Sequence, residues 1–245
     1  MKIAVLGATG KTGSKVLEQA ITRGHSVTAL VRGAGRLQSA QRVNIVNGSA
    51  TDAQAIKAAV LGADVVVVAV NAMMNKPGLS FHHDVAKTVV SAIKSVNPSA
   101  RLLMQTSASH GLVDFEKHAG AFMSRMMNFM LDHLIADHRA AENVLRAESE
   151  WLHYTVFCPP QIVDAPPVGG LIIEPERLPT GNFTVTYADL GKLIVDIAET
   201  GTYDRMVLGV NGSLTPKNAT RSSGEPLRLL WENIRMKFLG FGWRK

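Results

Sequence analysis

The run "KIAVLGATGKTG", Lys2 to Gly13, narrows the possible folds more than any other stretch of the chain. An apolar strand leads straight into a loop with glycines at 7, 10 and 13, and the helical pattern that follows has Val16, Leu17, Ala20 and Ile21 on one face. A strand that turns on glycine into a helix is the opening unit of a parallel α/β sheet. The turn also has a chemical use. A helix N-terminus offers unpaired N–H groups and a partial positive charge, and glycine lets a pyrophosphate come close to the backbone. In this reading Gly7 makes the turn, Gly10 allows the approach and Gly13 lets the helix lie against the sheet. The spacing is G-x-x-G-x-x-G rather than G-x-G-x-x-G, so the loop's place after the first strand carries more weight than the pattern itself.

The remainder alternates in the same way. Strand-like runs recur at 2–6, 26–31, 43–47, 64–70, 101–106 and 153–158, and a further strand is expected near 205–210. Helical patterns fill the intervals: one ends at Arg23-Gly24, and others cover 52–60, 80–96, 121–148 and 187–199. The run at 64–70 is apolar on both faces, as in a strand covered by helices on two sides. The expected fold is an α/β domain, a doubly wound parallel sheet over residues 1–210 with a small C-terminal substrate-side lobe. The proline- and glycine-rich segment 159–186 is the substrate-side insertion, with loops and short strands, and 211–245 is a basic linker and tail.

The end of the second strand selects the dinucleotide. NAD sites place Asp or Glu there to accept from the ribose hydroxyls, but "TALVRGAGRL" supplies Arg32 and Arg36 and no acid. Guanidinium groups pair with a 2′-phosphate through parallel hydrogen bonds, so the expected cofactor is NADP(H).

Charge and cysteine content exclude other classes. Of the formal net charge of +6, most belongs to the stretch from Asn211 onward, where seven basic residues face two acidic ones; the body is nearly neutral, and a nucleic-acid partner is not expected. Cys158 is the only cysteine, which rules out an intrachain disulfide and four-cysteine metal sites and reads as a buried thiol. The chain opens on a strand rather than a signal core, and no apolar stretch reaches the ~20 residues of a membrane helix; the expected location is cytoplasmic. In the tail, Leu227, Leu230, Trp231, Ile234 and Phe238 share one helical face opposite Arg228, Glu232 and Arg235. Residues 226–245 are therefore expected to contact a membrane surface or protein, or to dock on the domain or across a homodimer; monomer and homodimer both stay open.

"VRGAGRL", Thr106–Ala108 ("TSA"), Asp137–His138 followed by "NVLR", "CPPQI" at 158–162 and "ADLG" at 188–191, taken with the glycine loop, carry a resemblance. The chain resembles the atypical short-chain dehydrogenase/reductase superfamily in its NAD(P)H-binding, NmrA-like branch, and within it the biliverdin reductase B/flavin reductase group. The resemblance implies a Rossmann-type fold, NADPH and hydride transfer to a flat conjugated acceptor such as a flavin or bilin. The candidate cofactor contacts are Gly7, Thr9, Gly10, Lys11, Thr12, Gly13, Arg32, Arg36, Ser49, Ala69, Val70, Asn71, Thr106, Ser107, Pro159, Pro160, Gln161 and Ile162. Two departures matter. The branch often has Gly-Asp after the third strand, where the Asp reaches the adenine; here Gly48-Ser49 leaves that contact to Ser49 or Asp52. The group's histidine after Pro-Pro is replaced by Gln161, whose neutral amide can orient a substrate but cannot donate a catalytic proton.

Tyr154, Tyr187 and Tyr203 are followed four residues on by Cys158, Gly191 and Val207, so the Tyr-x-x-x-Lys pair of carbonyl reduction is missing. Flavins and bilins need no strong protein acid, because solvent can protonate the reduced ring system. Ser107, at the C-terminal end of the fifth strand, and His110 are the catalytic candidates. Four methionines and two phenylalanines between Phe122 and Leu131 could cover a flat acceptor or pack as core. His82-His83-Asp84 and the series His133, Asp137, His138, Glu142 lack metal-site spacing; charges at i, i+4 usually pair across a solvated helix face, and no metal is expected. "TSASHG" is not a serine-hydrolase elbow. The leading expectation is an NADPH-dependent reductase of flavin or bilin type; the alternative is an NADP(H)-binding regulator without turnover, followed by a carbonyl-directed enzyme such as an epimerase.

Overall fold

The computed structural model describes residues 1–33, 43–71, 76–108, 121–181 and 183–212. Its core is a sheet of eight strands: β1 (Lys2–Leu6), β2 (Ser26–Val31), β3 (Val43–Asn47), β4 (Val65–Val68), β5 (Arg101–Gln105), β6 (Tyr154–Cys158), β8 (Ile172–Pro175) and β10 (Met206–Asn211). The spatial order is β3-β2-β1-β4-β5-β6-β10-β8, parallel except for β8, which pairs antiparallel with β10. β7 (Gln161–Val163) and β9 (Thr184–Thr186) form a separate two-stranded parallel sheet within the proline- and glycine-rich insertion. This is the doubly wound α/β fold that the alternating pattern predicts, and its strand order reverses between β1 and β4.

Among the described residues, five helices cover the sheet: α1 (Lys11–Thr22), α2 (Ala53–Val60), α3 (Phe81–Val96), α4 (Ala121–Ala147) and α5 (Tyr187–Thr200). The pleat divides the strand residues between two cores. Ala4, Leu6, Val66, Val68, Leu102 and Met104 pack with α2, α3 and α4, while Ile3, Val5, Val65, Val67 and Leu103 pack with α1 and α5. The four valines of β4 are thus all buried, two in each layer. β4 is shorter than the expected 64–70: the chain leaves the β4–β5 ladder after Val68, and Ala69 and Val70 lie against Gly7 instead. The expected helix at 121–148 forms but bends, with Leu131 in a non-helical conformation (φ −119°, ψ 18°).

Candidate coenzyme site

Strand register lines up the candidate residues along one edge. Leu6 pairs with Leu30 and with Val68, Val31 with Asn47, Val68 with Met104, and Gln105 with Phe157. The residues that follow each strand, Gly7, Arg32, Gly48-Ser49, Ala69–Asn71, Thr106–Ala108 and Pro159–Ile162, therefore emerge side by side at the C-terminal edge, with neighbouring strands about 4.8 Å apart. Ligands of open α/β sheets sit on this edge, at the point where the strand order reverses.

The glycine turn is built by contact as well as by conformation. Gly7 has φ +89°, and a Cβ there would overlap the Ala69 carbonyl. A Cβ on Gly13, which is buried, would overlap the Gly7 carbonyl, so the first turn of α1 rests directly on the loop. Gly10 is exposed and less crowded: a Cβ would lie 3.1 Å from the Gly7 oxygen, and its N–H donates to that oxygen at 2.8 Å. Gly10 is the N-cap of α1 and supplies no side-chain cap, and the first turn holds no acid. Thr9 and Lys11 are exposed and Thr12 is buried. A backbone cradle at an uncapped helix start fits a diphosphate, whose oxygens can accept from first-turn amides.

Arg32 is exposed just past β2. Beside it, Ser49 pairs with Thr51 at 2.9 Å, while Asp52 uses Oδ1 to cap α2 through the N–H groups of Gln54 and Ala55. At the other end of the row, the Thr106 N–H donates to the Phe157 carbonyl (2.8 Å) and the Ala108 N–H to the Pro159 carbonyl (2.9 Å), which ties the end of β5 to the start of the insertion and leaves Ser107, partly exposed, between two tethers. Thr106 Oγ1 lies 3.1 Å from Cys158 Sγ, and the thiol is buried as expected. Gln161 is exposed and its N–H donates to the Phe183 carbonyl. Ala69, Val70, Pro160 and Ile162 are partly buried, Pro159 is buried and Asn71 exposed. Arg36, His110 and the tail residues 226–245 lie outside the described residues.

Sequence reasoning missed three features. Lys11 Nζ sits 5.5 Å from the Tyr187 ring centroid and links the starts of α1 and α5. Asp189 is 5% exposed and accepts from the N–H groups of Val168 and Gly169 and from the Thr186 hydroxyl, which anchors the insertion loop; the Thr-x-x-Asp spacing was its available signal. The series His133 to Glu142 is not simply a solvated face. Glu142 does pair with Arg146 at i, i+4 (2.7 Å), but Asp137 and His138 are buried, and Asp137 bonds to His82 across two helices. Burial pushes the Tyr154 phenol up, and the ring lies in the core. Among the described residues no helix is long and apolar enough to cross a membrane.

The oxidoreductase AgnL4 of Paecilomyces divaricatus is 26% identical over 260 residues, covering 96% of this chain and 94% of the relative. The oxidoreductase ordB of Dothistroma septosporum is 27% identical over 213 residues, covering 80% and 77%. A short-chain dehydrogenase/reductase of Veillonella parvula, solved with NADP, shares the fold with a TM-score of 0.71 at 22% identity, covering 89% of this chain and 99% of the other. Residues 7–200 match the NAD(P)H-binding family over the glycine turn, the whole row of strand ends and α5. With that span and oxidoreductase relatives along most of its length, the chain belongs to the NAD(P)H-binding family, among its NAD(P)H-dependent oxidoreductases.

Proposed function

We propose that this protein is an NADPH-dependent reductase that passes hydride to a flat conjugated acceptor of the flavin or bilin type. The observation that carries the reading is the composition of the strand-end row: an arginine after β2, a serine after β5, a neutral glutamine after the Pro-Pro turn, and no tyrosine–lysine pair. Arg32, with Arg36, holds the 2′-phosphate, and the turn from Gly7 to Gly13 holds the diphosphate. The coenzyme, when bound, supplies the hydride. Ser107 orients the nicotinamide or the acceptor by hydrogen bonding, Pro159–Ile162 flank the same ring, and solvent delivers the proton. The resemblance to the biliverdin reductase B/flavin reductase group supports the same acceptor class.

Purified protein mixed with NADPH and FMN, riboflavin or biliverdin should consume NADPH, followed by its absorbance. Gln161 also favours a second reading, because an amide there supplies no acid: an NADP(H)-binding regulator would bind NADPH tightly yet leave it unoxidised with every acceptor.

A further inference from the structure

The carboxylate of Asp137, 2% exposed in α4, faces the start of α3. Its Oδ2 accepts from the His82 backbone N–H at 2.9 Å and lies 2.8 Å from His82 Nδ1; its Oδ1 accepts from the His83 N–H at 3.0 Å. One helix thus caps another, at an N-terminus where Ser80 provides no side-chain cap. His82 is fully buried, edge-on to Phe81 and stacked on His138 with centroids 3.9 Å apart. Nδ1 must carry a hydrogen to bond the carboxylate. Nε2 has no hydrogen-bond partner among the described residues, and the Val70 backbone lies beside the ring, where it favours the charged form. Val70 in turn abuts the glycine turn, its Cγ1 lying 3.0 Å from where a Gly7 Cβ would be. Asp137, His82, Val70 and Gly7 therefore form one chain of contacts that ends at the proposed diphosphate cradle.

We propose that His82, fixed by Asp137, is a positioning residue for the coenzyme: its ring braces the Val70 backbone behind the glycine turn, and a proton on Nε2 tightens that brace by donating to the Val70 carbonyl. The inference rests on the coenzyme reading above. A neutral ring with Nδ1–H points a lone pair at a carbonyl oxygen, whereas the imidazolium donates from both nitrogens. Charging the ring and filling the cradle then favour each other by equal factors. Burial opposes the charge and moves the switch to the acid side of the ordinary histidine value, against the pull of Asp137. The titratable groups around the ring are Asp137 and His138 on α4 and, on its own helix, His83 and Asp84, which pair with each other at 2.9 Å; the described end of β4 adds none.

NADPH titrated by fluorescence into the full chain and into His82→Asn, across about pH 5 to 8, tests this. Asparagine keeps a donor for Asp137 but lacks the second ring nitrogen. The variant should bind more weakly than the wild type by a factor that grows toward acid, to about tenfold at the low end. Titration of the 2′-phosphate affects both proteins and cancels in the ratio. If the variant does not fold, the His82 ring-proton NMR titration of the wild type answers the same question, because NADPH should raise its midpoint. A pH-independent ratio, or a ring titration that NADPH leaves unmoved, overturns the inference while the coenzyme reading stands. A wild type that binds no NADPH overturns both.

Discussion

Gly10 and Gly13 look alike in the loop but carry different burdens. A Cβ at Gly13 would collide with the Gly7 carbonyl, a backbone atom that can yield only by moving the turn, whereas one at Gly10 would need a shift of a few tenths of an ångström. Gly13→Ala should therefore cost about 1–3 kcal/mol of stability, the usual size of an overpacking penalty. Gly10→Ala should lower the melting temperature far less and lose NADPH affinity; thermal unfolding and coenzyme titration on both variants would separate the two roles. Arg32 carries specificity. Hydrogen bonds to charged groups are worth about 1.5–3 kcal/mol, so Arg32→Ala should weaken NADPH binding roughly 10- to 100-fold. Its affinity for NADH should stay as it was, and an equal loss for both coenzymes would remove the 2′-phosphate from the account.

Single buried polar groups tie some elements together in addition to the two apolar cores. Asp189 at the start of α5 accepts three hydrogen bonds, two of them from the amides of Val168 and Gly169 in the insertion loop. Asp189→Ala would leave these donors without their acceptor, at about 1–3 kcal/mol for the unpaired groups. Hydrogen exchange at residues 164–170 should speed up while β1 and β4 keep their protection. Close helix contact has its own device: a Cβ on Gly191 would lie 2.7 Å from Lys15 Cβ and 2.9 Å from the Lys15 carbonyl carbon, so α5 lies tight against α1 only because this residue has no side chain.

At the scale of the molecule, the seam between α1 and α5 sets part of the response to acid. Burial alone would raise the carboxyls of Asp196 and Glu199, but hydrogen bonds from Lys192 and Arg23 to the first, and from His25 and Arg23 to the second, outweigh it and hold both below their ordinary values. Groups depressed on folding stabilise the fold above the unfolded carboxyl range and lose that contribution as pH falls through their folded values. His82, depressed by burial, acts with the same sign at higher pH: its contribution is whole above the ordinary histidine range and fades below it. Unfolding midpoints should thus decline in two stages on acidification, and Arg23→Ala should shrink the lower stage only. The tail is tested at this scale too: removal of residues 226–245 should change liposome binding or oligomer size if that segment makes the contact its amphipathic pattern suggests.

Strand and helix identities, the parallel order and the glycine turn were legible in the sequence because each is written locally: an apolar period of two or of 3.6, and a glycine where strand meets helix. Arg32, Ser107 and the Pro-Pro turn could be assigned to one edge for the same reason, since in a parallel sheet every strand ends on the same side. The bend at Leu131 and the early end of β4 were not legible; both depend on what lies against the segment. His82 and Asp137 show the limit most clearly. Fifty-five residues apart, they read as ordinary polar positions on two helices, and their spacing suggested solvent. Only the packing of α3 on α4 buried them together, because removing a charge from water is tolerable only where a partner waits, and that partner is supplied by the tertiary structure rather than by a neighbour in the chain.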